Sequence, residues 1–187
     1  PFGNLREGRK SYKRADIIII SKSPGLVSEE QEMDIQRAIK PFPHQTVFFS
    51  TLRYDGLFDF FSHQAVTPEA DSNFILVSGI AKPEPLLNHL RQQAASVHLL
   101  RYPDHHYFSA HNLDEIRKTH DQWAAPNKAI VVSEKDATRM ALWHEELKSW
   151  NIPIYVQPVR VRFLKNELQF RQIVADYVES SRPLTED

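Results

Sequence analysis

The feature that most constrains the fold of this sequence is the alternation of short apolar runs with stretches of helical periodicity. The runs have strand length, whereas the stretches between them repeat apolar residues every three or four positions. Alternation of this kind predicts an α/β fold, with a mainly parallel sheet flanked by helices in three α/β/α layers. The predicted strands are 17–20, 46–50, 74–78, 97–101, 129–132 and 154–163. The predicted helices begin at Ser28, Pro83, Asn112 and Ser133, and a last helix carries residues 170–178. The helix from Pro83 is expected to reach Ala95, and the helix from Ser133 to reach Trp150.

The segment 51–72 interrupts this order, because it lacks clean periodicity and contains the turn-like Tyr54-Asp55-Gly56. We expect an irregular or hairpin excursion here. Its three phenylalanines, Phe58, Phe60 and Phe61, either pack into the core of the domain or form an interface, and the sequence leaves both open.

The length of 187 residues fits one α/β domain over 15–180, with a basic segment over 1–14 and a frayed tail over 181–187. The chain has no cysteine, which excludes disulfides and thiolate metal sites. No apolar run approaches the roughly 20 residues of a membrane-spanning helix.

The net charge of −1 argues against nucleic acid as a partner, although the charge is unevenly placed. Residues 1–14 carry five basic side chains against one acidic, and residues 155–171 carry four against one. These two basic segments could face a phosphate or an anionic membrane surface. Ordinary solvated charge explains them as well.

The helix starts carry capping signals, which are local and readable from spacing. Ser28 with Gln31 and Ser133 with Asp136 have the spacing of a cap and its partner, and Asn112 is expected to cap a third helix.

In the last predicted strand, apolar and basic residues alternate. Val159, Val161 and Phe163 are therefore expected to point inward, and Arg160 and Arg162 outward.

Four unusual segments follow predicted strands directly: Ser21–Pro24, Ser78–Ala81, Tyr102–Phe108 and Ser133–Asp136. Loops at the carboxyl ends of parallel strands converge on one edge of the sheet, where ligands bind. The sequence therefore predicts a functional site at that edge.

Asp104-His105-His106 is the densest chemical cluster of these loops. A carboxylate beside a histidine can orient the imidazole for acid–base work. Two other interpretations stay open, a metal site with His111 nearby and a purely structural loop.

The segment Ser133-Glu134-Lys135-Asp136 has two interpretations as well. Capping alone accounts for Ser133 and Asp136, whereas a functional role would have Lys135 and the helix start orient an anionic group. Gly79 is expected to supply either a positive φ or a close backbone approach. Neither a Gly-x-x-x-x-Gly-Lys-Ser/Thr phosphate loop nor a dinucleotide fingerprint occurs in the sequence.

The start of the chain resembles a known family. Pro1-Phe2-Gly3-Asn4-Leu5-Arg6-Glu7 is similar to a Pro-x-Gly-x-Leu-Arg-Glu motif, and Arg14-Ala15-Asp16 leads through a strand to Ser21-Lys22, similar to Arg-Ala-Asp–strand–Thr-Lys. Both motifs belong to the tetraacyldisaccharide 4'-kinases, the lipid A 4'-kinase family.

Three further segments resemble motifs of that family in the same order. Ser78-Gly79-Ile80-Ala81-Lys82-Pro83 is similar to its Gly-Ile-x-x-Pro loop, and Pro103-Asp104-His105-His106 to its Asp-His-His motif. Ser133-Glu134-Lys135-Asp136-Ala137 is similar to its Thr-Glu-Lys-Asp-Ala motif. Together the motifs resemble the C-terminal portion of the family.

This resemblance implies a transferase of lipid A and lipopolysaccharide biosynthesis. The family uses ATP and Mg²⁺ to phosphorylate the 4'-hydroxyl of a tetraacyl glucosamine disaccharide 1-phosphate. It implies a cytoplasmic protein, peripheral at the inner face of the bacterial cytoplasmic membrane. The implied partners are the lipid A disaccharide precursor and the anionic membrane surface, and not nucleic acid.

The resemblance also implies roles for particular residues. His105 would partner a catalytic aspartate that is absent from these 187 residues, with Asp104 and His106 framing His105. Within this chain, His105 and Asp104 are the residues implied to be catalytic. The residues implied to bind substrate or frame the site are Arg6, Glu7, Gly79, His106, Ser133, Glu134, Lys135 and Asp136.

The sequence departs from the family in lacking its phosphate-binding loop, which precedes the Pro-x-Gly-x-Leu-Arg-Glu motif. We therefore expect a fragment whose partner is a missing N-terminal half and which is inactive alone. Ser21 and Ser133 stand where threonine is commoner. Two alternatives remain, a standalone α/β module that binds a phosphorylated or anionic ligand, and a zinc-dependent hydrolase built on His105, His106 and His111.

Overall fold

The computed structural model describes residues 8–181, apart from the side chain of Arg9. Its strands are β1 (Ile17–Ile20), β2 (Thr46–Tyr54), β3 (Leu57–Asp59), β4 (Ala65–Val66), β5 (Asn73–Ser78), β6 (Ser96–Arg101), β7 (Lys128–Ser133), β8 (Ile154–Gln157) and β9 (Val159–Phe163). Its α-helices are α1 (Glu29–Ile39), α2 (Glu84–Leu90), α3 (Ala110–Gln122), α4 (Glu134–Met140), α5 (His144–Ser149) and α6 (Glu167–Ser180). None of these helices has both the length and the apolarity needed to cross a bilayer.

The described residues form two compact units. The first comprises the chain up to Arg53 together with the chain from Val161 onward, and the second comprises Tyr54–Arg160. Of the tail expected to fray over 181–187, residues 182–187 lie outside the described residues.

The second unit is built on a six-stranded sheet with the order β4-β3-β8-β7-β5-β6. Strands β8, β7, β5 and β6 run parallel, and the hairpin β3–β4 adds an antiparallel edge through β3. The predicted α/β class, with its mainly parallel sheet and a hairpin excursion, is confirmed.

Helices cover both faces of this sheet, because successive side chains of a strand point to opposite faces. Ile75 of β5 joins one apolar cluster, which contains Met140 of α4. Its neighbour Phe74 joins the other cluster, which contains Leu90 of α2. All four side chains are completely buried, and each contributes about 1.5–3 kcal/mol of hydrophobic stabilisation.

The phenylalanines of the segment 51–72 pack into the core of the second unit. Phe60 is buried in the first of these clusters, and Phe58 and Phe61 are half-buried against it. Leu57 of the same hairpin is buried in the other cluster.

The predicted strand 154–163 is wrong as a single element, since β8 belongs to the six-stranded sheet and β9 to a separate one. The two are separated by Pro158, which has no N–H to donate to a strand ladder. Its carbonyl instead accepts a hydrogen bond from the N–H of Asp55 at 3.2 Å.

The expected inward orientation is wrong for Val159 and Val161, which are 37% and 63% exposed. Phe163 is half-buried as expected, and its ring packs on Phe48 at 5.8 Å and on Phe170 at 4.4 Å.

The helix starts follow the capping chemistry at two of the three expected positions. The capping box of Ser28 and Gln31 is present, and the Ser133 side chain accepts from the N–H of Asp136. Asn112 is not the cap of α3. Ser109 holds that position, and Asn112 closes the capping box from the third helical residue.

Two predicted helices are shorter than expected. The helix expected from Pro83 to Ala95 ends as α2 at Leu90, and the helix from Ser133 is divided by a 3-10 turn at Ala141–Trp143.

The first unit contains a three-stranded sheet with the order β1-β2-β9, in which β1 and β2 run parallel. A 3-10 helix over Arg9–Arg14 precedes β1. The amide of Gln45 holds the segment between this 3-10 helix and β1 in place, because its Nε2 donates to the carbonyls of Tyr12 at 2.8 Å and Ala15 at 2.6 Å.

Burial of His89 predicts a loss of stability in mild acid. Its ring stacks on Tyr54 with 4.4 Å between centroids, and its Nε2 accepts from Gln93 at 3.0 Å. This burial lowers the pKa of His89 below that of an unfolded histidine, about 6.5. The unfolded chain therefore binds the extra proton first, so stability present above about pH 6.5 declines as the pH falls toward the folded pKa.

Replacing His89 with phenylalanine keeps the stacked ring and removes the titration. We expect His89→Phe to flatten the dependence of unfolding free energy on pH below about 6.5, measured by urea denaturation. His111→Phe, at an exposed position of α3, serves as the control. The same pH dependence of the unfolding free energy in wild type and His89→Phe would contradict the prediction.

Candidate functional site

The loops after β5, β6 and β7 meet at the carbonyl of Gly79. This oxygen accepts from the N–H of His105 at 3.1 Å and from Nη1 of Arg139 at 3.1 Å. The three strands run parallel, so their following loops leave the same edge of the sheet. The prediction that these three loops converge is confirmed.

Gly79 is required by close approach. An added Cβ would lie 3.1 Å from Oδ1 of Asp136, 3.1 Å from Cβ of His106 and 3.4 Å from the carbonyl of Pro103. No described glycine has a positive φ. Of the two interpretations of Gly79, close backbone approach is therefore the correct one.

The first of the four predicted loops follows a strand of a different sheet, because β1 belongs to the three-stranded sheet of the first unit. Ser21–Pro24 forms a turn within the first unit. There the Ser23 hydroxyl donates to the carbonyl of Ile20 at 2.9 Å, and its N–H donates to the carbonyl of Ser50 at 2.9 Å. A cavity of about 400 Å³ lies beside this turn, lined in part by Lys22 and Asp34.

His105 stands out from the edge with a side chain that is 79% exposed. Its backbone is left-handed, with a φ of 60°, which costs about 1–2 kcal/mol for a residue with a Cβ. Its N–H is shared between the carbonyl of Gly79 and Oδ1 of Asp104, the latter at 3.0 Å. Nε2 of the ring lies 3.7 Å from Oδ2 of Asp104. The imidazole is thus held beside a carboxylate and is accessible to a ligand.

His106 points the other way and is half-buried. Its ring stacks on Tyr102 at 4.8 Å and meets Phe108 edge-on at 5.2 Å. Nε2 of His106 lies 2.9 Å from Oδ1 of Asn112, the residue that closes the cap of α3. His106 therefore anchors the loop to α3 and leaves His105 as the accessible histidine of the pair.

Tyr102 supports this packing and was not singled out in the sequence. Its hydroxyl donates to Oε2 of Glu115 at 2.8 Å. Burial, followed by that carboxylate, raises the pKa of Tyr102 well above its usual value. The phenol therefore stays protonated and keeps its role as a donor.

Asp136 is completely buried, so its carboxylate does not reach a ligand directly. The Ser133 hydroxyl donates to its Oδ2 at 2.8 Å, and Nη1 of Arg139 donates to its Oδ1 at 3.0 Å. A buried charge needs such partners, because losing water without them costs several kcal/mol. Arg139 was missed in the sequence, although its spacing of three residues from Asp136 on a helix is the signal that could have found it.

Glu134 and Lys135 differ in their environment. The carboxylate of Glu134 accepts from Nη1 of Arg160 at 3.0 Å and from the N–H of Val159 at 3.2 Å. Glu134 therefore ties the start of α4 to the residues after β8. Lys135 is exposed at the same edge.

Arg6 and Glu7 lie outside the described residues. Within residues 8–181, no three histidine, aspartate or glutamate side chains come together as a potential metal site. The grouping of His105, His106 and His111 that a zinc-dependent hydrolase requires is therefore not found in this part of the chain.

These observations define a class of protein: a parallel α/β protein whose candidate site is an exposed histidine at the carboxyl edge of the sheet. Residues 1–179 match the model of the family described as tetraacyldisaccharide-1-P 4'-kinase, LpxK. The chain belongs to this family, and the resemblance seen in its motifs is confirmed.

Relatives of known name support the assignment. The chain is 35% identical over 184 residues to a tetraacyldisaccharide 4'-kinase of Flavobacterium psychrophilum, covering 97% of this chain and 50% of the relative. It is 32% identical over 190 residues to the protein of the same name from Bacteroides fragilis, with the same coverage of 97% and 50%. The chain thus spans about half the length of the curated relatives it matches.

A solved structure shares the fold. It is the LpxK of Aquifex aeolicus in complex with ATP, with a TM-score of 0.51 and 15% sequence identity. The similarity covers 93% of this chain and 46% of that one. At this identity the likeness supports the fold alone.

The close packing at Gly79 predicts that even one methyl group is harmful. We expect Gly79→Ala to lower the free energy of unfolding by about 1–3 kcal/mol, because the new Cβ overpacks against Asp136 and His106. Urea denaturation measures the change. Gly56→Ala is the matched control, since nothing lies within 4 Å of its Cβ position. Equal stability of the two variants would contradict this account.

The buried ion pair predicts a second, larger effect. We expect Asp136→Asn to destabilise the fold by about 3–5 kcal/mol, because it leaves the guanidinium of Arg139 without its charge partner. Asp34→Asn is the control, because Asp34 pairs with Arg37 at the same helical spacing but in solvent. The control should lose at most about 1 kcal/mol by denaturant titration. Similar losses in the two variants would show that the pair at Asp136 is not desolvated.

Proposed function

We propose that this chain is part of an ATP-dependent lipid kinase of lipid A biosynthesis. The reaction is transfer of the ATP γ-phosphate to the 4'-hydroxyl of a tetraacyl glucosamine disaccharide 1-phosphate. The observation that carries the proposal is the family match over residues 1–179, together with relatives named tetraacyldisaccharide 4'-kinase.

The carboxyl edge of the six-stranded sheet, where three loops meet at Gly79, suits a role in phosphoryl transfer. Such a reaction needs a group that accepts the hydroxyl proton and a site that holds the reactants in line. His105 is exposed beside Asp104. In this proposal His105 pairs with a different aspartate, outside these 187 residues, and that aspartate takes the proton. Gly79, His106, Ser133 and Asp136 hold the loop of His105 in place, and the exposed Lys135 faces an anionic group.

ATP is the proposed phosphate donor, in keeping with the ATP bound in the Aquifex aeolicus relative. The sequence lacks a Gly-x-x-x-x-Gly-Lys-Ser/Thr loop, so we place the groups that hold the phosphates outside these 187 residues. The same applies to Mg²⁺. Residues 8–181 bring no three carboxylate or imidazole side chains together, which does not fit a metal site within this part of the chain.

The lipid substrate and an anionic membrane surface are the proposed partners, together with the other half of the protein. The described part of the basic segments presents exposed Lys10, Lys13 and Arg162, which suit phosphate or anionic headgroups. The proposed location is cytoplasmic, peripheral at the inner face of the bacterial cytoplasmic membrane. The net charge of −1 gives no reason to propose nucleic acid as a partner.

The proposal predicts a division of activity. The isolated 187-residue chain should fold but transfer no γ-phosphate from radiolabelled ATP to the disaccharide lipid, because it spans about half of its relatives. The complete reading frame that encodes it should be active. In that protein His105→Ala should lower kcat by about 100-fold, because the aspartate that accepts the hydroxyl proton loses its hydrogen-bonded partner and transfers that proton less efficiently.

His111→Ala is the matched control, since His111 is an exposed histidine of the neighbouring helix and should leave kcat unchanged. Transfer of the γ-phosphate by the 187-residue chain alone would contradict the expectation that this chain is inactive by itself. A complete protein that fails to phosphorylate the lipid would refute the proposed function.

A further inference from the structure

Arg139 connects the segments that follow β5, β6 and β7 at the candidate site. Its side chain, 15% exposed, comes from α4 after β7. Nη1 donates to the buried carboxylate of Asp136 at 3.0 Å and to the carbonyl of Gly79 at 3.1 Å. Nη2 lies 3.4 Å from Nδ1 of His105. A single guanidinium therefore contacts the buried carboxylate, the carbonyl of Gly79 and the exposed histidine.

The contact between Nη2 and Nδ1 has a direction fixed by chemistry. A guanidinium carries only donors and stays protonated in proteins. Nδ1 of His105 can therefore join this contact only as an acceptor. Its ring proton then resides on Nε2, which lies 3.7 Å from Oδ2 of Asp104.

We propose that Arg139 is a positioning residue that fixes the imidazole of His105 with its proton on Nε2. The inference rests on the proposed function, in which His105 acts at the reacting group. In that orientation Nε2 of His105 offers an N–H donor to the aspartate of the proposed function, which we place outside these 187 residues. That aspartate accepts the proton of the substrate hydroxyl, and His105 itself exchanges none.

The surroundings of Arg139 explain why an arginine suits this task. Three acceptors lie around it, on Asp136, Gly79 and His105, and the planar fork of a guanidinium serves them from two nitrogens. A lysine has one nitrogen on a flexible stem and does not reproduce this geometry. Asp136, buried and bonded to Ser133, holds the fork in place.

The first test is the tautomer of His105 in the 187-residue chain, measured by long-range ¹H–¹⁵N correlation of the imidazole nitrogens. His105→Gln identifies the signals. We expect Nε2 to carry the proton and Nδ1 to have the shift of a hydrogen-bonded acceptor. Arg139→Lys should move both shifts to those of the exposed His111, whereas Arg117→Lys, at an exposed position of α3, should move neither.

Two results would overturn the inference: a proton on Nδ1 of His105 in the wild-type chain, or identical His105 shifts in wild type and Arg139→Lys. Arg139→Lys keeps a positive charge beside Asp136, which favours folding of the variant. If this variant does not fold, the wild-type spectrum alone still decides the tautomer.

The second test measures activity in the complete reading frame. Arg139→Lys should lower kcat about tenfold with little change in KM, as expected when a residue that orients a functional group is altered. Arg117→Lys should change neither constant. An unchanged kcat in Arg139→Lys overturns the positioning role. A wild-type protein without kinase activity refutes the proposed function instead, and the tautomer measurement still decides the role of Arg139.

Discussion

The carboxylate of Asp136 has no contact with solvent. The arrangement of the candidate site follows from its need for hydrogen-bond donors and a counter-charge. A charge removed from water requires hydrogen bonds and a counter-charge, which here come from Ser133 and Arg139. Arg139 in turn reaches the carbonyl of Gly79 and the ring of His105. One buried charge thus links the loops after three different strands.

The parallel sheet makes this linkage possible. Strands β5, β6 and β7 deliver their carboxyl ends to the same edge, so residues distant in the chain meet over a few ångströms. Gly79 allows the closest approach, because any side chain there would collide with Asp136 and His106. The free-energy cost of the left-handed backbone at His105 is offset by hydrogen bonds from its N–H to two acceptors. Packing fixes His106, and His105 is left exposed.

Membership of the tetraacyldisaccharide-1-P 4'-kinase family gives this edge a chemical context. The chain spans about half the length of its curated relatives, and the described residues present an accessible histidine without a metal-binding cluster. A rigidly held histidine is useful to a phosphoryl-transfer site when the phosphates and their metal ion are bound by other residues. In the proposed function, this chain supplies such a histidine.

The sequence by itself determined the α/β class, most of the strands, the caps at Ser28 and Ser133, and the convergence of the loops at Gly79, His105 and Asp136. Periodicity and capping involve neighbours within a few residues, so they are readable along the chain. Only the tertiary structure decided that β1 and β9 lie outside the six-stranded sheet and that Arg139 faces His105. These features depend on which distant segments pair and on which charge is buried, and no local pattern encodes either.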